Sequence, residues 1–367
     1  MENTDAVLAP LGISFIIFHC ISYQMDLYQK RAEPGKNLVN FALYITFFPK
    51  LIQGPIVKYR DMKSEIENRE AVSLEHLSAG LERFIIGLSK KVLIADLIGE
   101  TVSEIFGLVS YWGMDLPTAW IGCLAYTVQI YMDFSGYSDM AIGLGIMFGF
   151  HMEENFKFPY LSKSITEFWR RWHISLGSFF RDYLYIPLGG NRKGNVYLNL
   201  FLVFLATGIW HGAGILFILW GIGHGLCVIF ERRVKNEKWY QKIPVPLKWV
   251  ITMLIVSVGW LTFRLPDMDQ MCKYLGYMVG RGIPAEQGYL PYTWEYFITP
   301  RFITLMSIFA LGMVVLSRET IHRWYCSTFQ KSICFQTIKY AVLLALWCLC
   351  FVTVVATEYS PFIYFQF

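Results

Sequence analysis

Seven stretches of this chain are apolar for long enough to suggest crossings of a lipid bilayer. A spanning helix needs about 20 mostly apolar residues, and candidates lie at 7–23, 38–53, 118–134, 196–230, 247–264, 302–317 and 338–357. The stretch at 80–98, AGLERFIIGLSKKVLIADL, interrupts its apolar residues with Glu82, Arg83, Lys90, Lys91 and Asp96. That pattern predicts an amphipathic helix at the interface or packed against other protein. Residues 140–150, MAIGLGIMFGF, are too short to cross alone and predict a re-entrant piece or part of a broken helix.

Residues 196–230 carry no charge across 35 positions, too long for one ordinary crossing and short for two. Their flanks, NRKGN at 191–195 and ERRVKNEKWYQK at 231–242, are both net positive. The positive-inside tendency puts both on the cytoplasmic side, which predicts a helical hairpin. Its turn falls near Trp210 to Gly214, where two glycines relax the backbone. A single long tilted helix, with Gly208 and Gly212 as a small-xxx-small pair, is the alternative. The polar loops at 54–79, 265–301 and 318–337 are each too short for a folded domain, so residues 1–367 read as one all-α, membrane-embedded domain. No internal repeat is visible, which weighs against a transporter built from duplicated halves.

Composition sharpens this picture. Of 367 residues, 55% are hydrophobic and 17% aromatic, and only 16% are charged, against about 25% in soluble domains. The net charge of +4 is spread over short loops, which excludes nucleic acid as a first partner. Eight cysteines (20, 123, 227, 272, 326, 334, 348 and 350) include no CxxC pair and mostly sit in apolar runs, giving neither a disulfide framework nor a zinc site. The start, Met1-Glu-Asn-Thr-Asp5, is acidic and no small-residue cleavage site follows, so no removable signal is expected.

Ionisable groups inside apolar segments are costly, so each is a candidate for chemistry. His211 stands near the middle of the longest uncharged run. It is either a neutral imidazole able to accept a proton or a buried ring that holds the hairpin through a backbone carbonyl. Within Ser164 to Tyr185, Phe168, Trp172, Leu176, Phe179 and Tyr183 recur at helical spacing. Thr166, Arg170, His173 and Gly177 follow each other on another face of such a helix, so Arg170 and His173 are expected side by side. A base beside a fixed cation suits a phosphorylated substrate; an interfacial helix whose arginines bind headgroups is the competing reading. Asp133 and Asp139 bracket the Gly-containing stretch at 134–138, as caps of a helix end or as charges lining a wet cavity. His224 lies 13 residues after His211, about 220° around and about 20 Å along one continuous helix, so the two could not share a metal there. With no HxxxH, HExxH or Cys cluster, no metal is expected. GxSxG, P-loop and dinucleotide fingerprints do not occur, so nothing supports a serine hydrolase, NTPase or dehydrogenase.

Several longer motifs occur together: DFSGYSDMAIGLGI at 133–146, Glu154-Asn155-Phe156, Pro159-Tyr160, SITEFWRRWHISLG at 164–177, FRDYLYIPLGGNR at 180–192 and TGIWHGA at 207–213. With PLGISF at 10–15, FFPKLIQGP at 47–55, GLSKKVLIAD at 87–96 and the terminal SPFIYFQF, they resemble the membrane-bound O-acyltransferase family over essentially the whole chain. The resemblance is strongest to its alginate O-acetyltransferase branch, with the D-alanyl-lipoteichoic acid transferase as a nearby relative. LGGNR at 188–192 favours the acetyl-transferring branch.

The resemblance implies a bacterial multi-pass plasma-membrane protein whose helices surround a tunnel. Through it an acyl group passes from a cytoplasmic thioester, acetyl-coenzyme A or another donor, toward an outer polysaccharide. The donor is a substrate, and no bound cofactor is implied. The family's near-invariant histidine matches His211 and its second polar position matches His173, as base and as orienting partner. Arg170, Arg171 and Arg181 would face the donor's phosphates at the cytoplasmic mouth, with Asp182, Trp210, Asp133 and Tyr137 lining the tunnel. The resemblance also implies an extracytoplasmic SGNH-hydrolase-like acetyltransferase as a partner to receive the acetyl group. D-alanyl transfer to a cell-wall polymer is the alternative within the family, and a non-enzymatic polysaccharide transporter or assembly subunit the alternative outside it. Family members carry hydrophobic segments ahead of PLGISF, whereas here that motif begins ten residues from the start, so those helices are expected to be lacking.

Overall fold

The computed structural model describes residues 12–69, 71–111, 113–281, 292–319, 332–357 and 362. The start of the first candidate span, parts of the loops at 265–301 and 318–337, Cys326 and most of the terminal SPFIYFQF lie outside the described residues. All regular structure among the described residues is helical.

Helix α1 (Ile13–Tyr28) starts at Gly12, whose left-handed φ of 76° a side chain would strain and whose Cβ would strike the Leu51 carbonyl. Asn37 caps α2 (Leu38–Thr46), its side chain accepting from the Asn40 N–H. The expected span at 38–53 therefore ends early. After α2 the chain makes a 3₁₀ turn at Phe48–Lys50, because Pro49 cannot extend the helix and restricts the residue before it. Helix α3 (Tyr59–Glu67) leads to α4 (Leu74–Ser89), which Ser73 and His76 start as a capping box. A π-helical turn (Lys90–Asp96) joins α4 to α5 (Leu97–Tyr111).

Helix α6 (Leu116–Met147) runs for 32 residues, about 48 Å, and overturns two expectations. The segments at 118–134 and 140–150 are largely one unbroken helix, and Asp133 and Asp139 lie inside it rather than capping an end. The glycines serve close approach instead of a break. A Cβ on Gly80 would sit 2.5 Å from the Gly143 carbonyl oxygen, and one on Gly87 would sit 2.5 Å from that of Gly136. With α4 this near, the cations of α4 and of the π-helical turn after it reach the aspartates: Arg83 and Lys90 pair with Asp139 at 2.6 and 2.5 Å, and Lys91 with Asp133 at 2.7 Å. The charges that break up 80–98 thus face protein, as one of the two readings expected.

Residues 164–185 are not the single helix expected. Helix α7 (Ile165–Arg171) stops, Trp172 is extended, His173 adopts a left-handed φ of 45°, and α8 (Ile174–Phe180) restarts before a π-helical turn at Arg181–Tyr185. Helices α9 (Val196–His211) and α10 (Ile215–Val234) form the expected hairpin, turning at residues 212–214. Gly208 and Gly221 let them touch, since a Cβ on either would lie 2.5 or 2.6 Å from a carbonyl oxygen of the other helix. Helix α11 (Val245–Trp260) ends in a 3₁₀ turn at Leu261–Phe263, followed by α12 (Met268–Met278), α13 (Pro300–Leu316) and α14 (Ile333–Ala356). Three described helices are long and apolar enough to cross a membrane: α10, α11 with its 3₁₀ end, and α14. Helix α14 packs on α4, with Lys339 donating to Glu82 at 2.8 Å.

Candidate active site

His211 is the last residue of α9 and stands where the hairpin turns. Its ring is walled by aromatics from three elements: Trp210 at 4.7 Å, Trp220 of α10 at 5.2 Å and perpendicular, and Phe263 of the 3₁₀ turn at 5.0 Å between ring centroids. Gly212 is required beside it, because a Cβ there would fall 2.7 Å from the Phe217 ring. The histidine is half-buried among these rings.

His173 owes its position to the break between α7 and α8. A left-handed backbone is unfavourable for a non-glycine residue and persists only where surroundings over-determine it. Here Asn155 does so. Its backbone carbonyl accepts from the Ile174 N–H at 2.9 Å, and its buried Oδ1 accepts from the Ser175 N–H at 3.2 Å and the Ser175 hydroxyl at 2.9 Å. An atom that accepts from a backbone N–H is the amide oxygen, so His173 Nδ1, 3.1 Å from it, carries a hydrogen and donates. In a neutral ring Nε2 is then the lone-pair nitrogen, and it is buried without a hydrogen-bond partner. His173 presents a proton acceptor, and the two histidines lie within electrostatic reach of each other.

A run of rings joins them: Phe134 against His173 at 4.8 Å and Trp172 at 6.2 Å, Trp172 against Trp260 at 4.6 Å, Trp260 against Trp220 at 6.5 Å. Trp220 stands between His211 and His224, 5.0 Å from the latter, and its indole N–H is buried and unpaired. His224 is fully enclosed; a Cβ on Gly259 would come 2.7 Å from its Nε2, so only glycine leaves it room.

A cavity of about 940 Å³ adjoins this cage between α5, α6, the start of α10 and the 3₁₀ turn. Phe217 and Phe263 belong both to its wall and to the surroundings of His211. Lys91, Asp96, Glu100, Gln129 and Arg264 give the wall a polar side. Asp133 reaches it through Lys91, and Tyr137 stands edge-on to Phe362, another wall residue, at 5.0 Å.

The basic residues are not gathered at the histidines. Arg170 is exposed, and because α7 ends at Arg171 it does not share a helical face with His173. Arg171 pairs with Glu167 at 2.7 Å. Arg181 donates to Asp182, which is buried between Lys58 at 2.7 Å and Arg60 at 2.5 Å. Burial alone would raise the Asp182 carboxyl, but Arg181, Lys58 and Arg60 outweigh it and hold the group well below the usual carboxylate range. Asn155 and Trp220 were not singled out from the sequence, and Lys91 only as one of the charges within 80–98. Asn155 lies in a quoted motif, yet nothing local marks it as the residue that bends the chain 18 positions later.

The model of the MBOAT, membrane-bound O-acyltransferase, family matches residues 6–262. The chain is 48% identical over 278 residues to the "Probable alginate O-acetylase AlgI" of Pseudomonas putida, covering 75% of this chain and 56% of that protein. It is 38% identical over 308 residues to the peptidoglycan O-acetyltransferase of Helicobacter pylori, covering 76% and 58%. To the teichoic acid D-alanyltransferase of Bacillus subtilis it is 29% identical over 280 residues, covering 69% and 68%. The chain thus spans a little over half the length of the first two relatives. The matched region takes in α1 to α10, α11 and both caged histidines, and the chain belongs to the membrane-bound O-acyltransferase family.

Proposed function

We propose that this chain carries the transfer centre of an O-acyltransferase that moves an acetyl group from a thioester donor to a hydroxyl of a surface polysaccharide, directly or through an extracytoplasmic SGNH-hydrolase-like partner. The observation that carries the reading is His211 held in an aromatic cage whose wall is shared with a 940 Å³ cavity, with a run of rings leading from it to His173. The names of the relatives, an alginate O-acetylase and a peptidoglycan O-acetyltransferase, supply the acetyl group and the polymer class.

In this reading His211 removes the proton of the acceptor hydroxyl as its oxygen attacks the thioester carbonyl. The tetrahedral oxyanion collapses, the carbon–sulfur bond breaks, and the thiolate leaves with the proton from the imidazolium. A neutral ring can take that proton; a permanently charged lysine could not. His173, whose Nε2 is an acceptor, orients His211 or shares its proton. The unpaired indole N–H groups of Trp210 and Trp220 are suited to stabilising the oxyanion. Arg170, Arg171 and Arg181 are assigned to the donor's phosphates, Asp133 and Tyr137 to the tunnel wall, and Asp182 to holding Arg181.

The test is acetyl transfer from radiolabelled acetyl-coenzyme A by protein in nanodiscs, with and without the extracytoplasmic partner. His211→Ala is expected to lose transfer by about 10²-fold or more while folding normally. Full transfer in that variant would overturn the assignment.

A further inference from the structure

Around the short 3₁₀ turn after α2 lie three buried polar side chains that the acyl-transfer reading does not use. Lys50 is entirely enclosed, and its ammonium has no hydrogen-bond or ion-pair partner; it lies 3.7 Å from the centroid of the Tyr44 ring, over its face. His19 of α1 packs edge-on against the same ring at 5.6 Å, near enough to feel the lysine's charge, and neither of its ring nitrogens has a partner. One turn beyond Lys50, Gln53 is equally enclosed, and both atoms of its amide are unpaired. Gly54 closes the turn so tightly that a Cβ would fall 2.6 Å from the Lys50 Cα.

This arrangement is unusual for its charge. Elsewhere the buried cations have carboxylates: Lys58 has Asp182 and Lys91 has Asp133. An ammonium taken out of water is costly unless an opposite charge or several acceptors meet it, and the face of one tyrosine answers only part of that cost. The unpaired groups are mostly donors: three hydrogens on the ammonium, one on the neutral imidazole, two on the Gln53 amide. Donors on a lysine, an imidazole and an amide buried around one turn match an anionic oxygen acceptor, whereas a metal ion would be repelled by a charged Lys50.

We propose that Lys50, His19 and Gln53 form a buried binding site for a small oxyanion, a carboxylate or phosphate group. The site stands whether or not the chain transfers acyl groups. Helix α1 also connects it to the hairpin, since Phe18, next to His19, lies 5.2 Å from Trp210.

The test follows thermal unfolding of the whole chain in nanodiscs, by tryptophan fluorescence, while sodium acetate, sodium phosphate or sodium chloride is added at constant ionic strength and pH. Acetate or phosphate is expected to raise the midpoint saturably and chloride is not; which of the two acts tells a carboxylate ligand from a phosphate one. Lys50→Met is expected to lose the saturable shift, and Gln53→Leu to weaken the apparent affinity about tenfold, the worth of one hydrogen bond to a charged group. His211→Ala keeps the shift, which separates this site from the transfer centre. No saturable shift, an equal shift with chloride, or an unchanged shift in Lys50→Met would overturn the proposal. If Lys50→Met does not fold, wild-type anion dependence in both Gln53→Leu and His19→Phe would do the same.

Discussion

Replacing Asn155 by leucine isolates the part played by His173. The side chain is fully buried, and its Oδ1 faces three groups: the Ser175 N–H, the Ser175 hydroxyl and His173 Nδ1. Three bonds at about 1 kcal/mol each, with an orphaned buried donor costing about 1–3 kcal/mol, mean that Asn155→Leu should destabilise the fold by about 3 kcal/mol or more. Its effect on transfer should be larger than that loss explains. Without an acceptor at Nδ1 the neutral ring is free to carry its hydrogen on Nε2, and a misdirected His173 no longer orients His211 or shares its proton, so transfer should fall by up to the general-base term of about 10²-fold. Two companions separate the causes. Asn155→Asp retains an acceptor at the same place and should transfer better than the leucine variant. Ser175→Ala removes one hydrogen bond to the same oxygen but leaves the tautomer, and should lose about 1 kcal/mol with transfer nearly intact. Unfolding midpoints and acetyl transfer in nanodiscs read both quantities. A folded Asn155→Leu with full transfer, or a Ser175→Ala that loses as much, would refute the reasoning.

Two further expectations concern the frame around the site. Gly87→Val puts a Cβ 2.5 Å from the Gly136 carbonyl oxygen and 2.7 Å from the Met140 nitrogen, both backbone, so α4 and α6 must separate; the loss should reach about 3 kcal/mol. Gly107→Ala, which meets nothing within 4 Å, should leave the unfolding midpoint unchanged or slightly raised. The Asp182 carboxyl titrates lower in the folded chain than in the unfolded one, so its stabilising effect is complete above about pH 4 and fades as pH falls toward the folded value. Asp182→Asn should therefore lower the midpoint at pH 7, with the gap to wild type narrowing below pH 4; a gap constant with pH would show that the charge is immaterial.

Much of the architecture was legible along the chain because it depends on local composition. A long uncharged run with basic flanks and a glycine-rich middle has few options other than a hairpin, and the pair α9 and α10 turns where those glycines stand. His211 could be singled out for the same reason: an ionisable ring in such a run is costly wherever the helices go. Its cage could not, since Trp220 and Phe263 come from other elements and nothing in a line of residues marks which of 12 tryptophans will meet it.

What only the tertiary structure decided has one physical cause, that a residue's local preference was outweighed by a distant partner. The glycines of 134–146 read as a break in isolation, but against Gly80 and Gly87 they are the contact that keeps α6 whole and near α4. Glu82, Arg83, Lys90 and Lys91 left open whether 80–98 lies at the interface or against protein, and Lys339, Asp139 and Asp133 answer them inside the protein. The helical periodicity of 164–185 was sound for its buried residues, which do all point inward. Periodicity could not register that Asn155 offers the backbone after Trp172 a better set of hydrogen bonds than another helical turn would, and that exchange sets His173 where its free nitrogen can act.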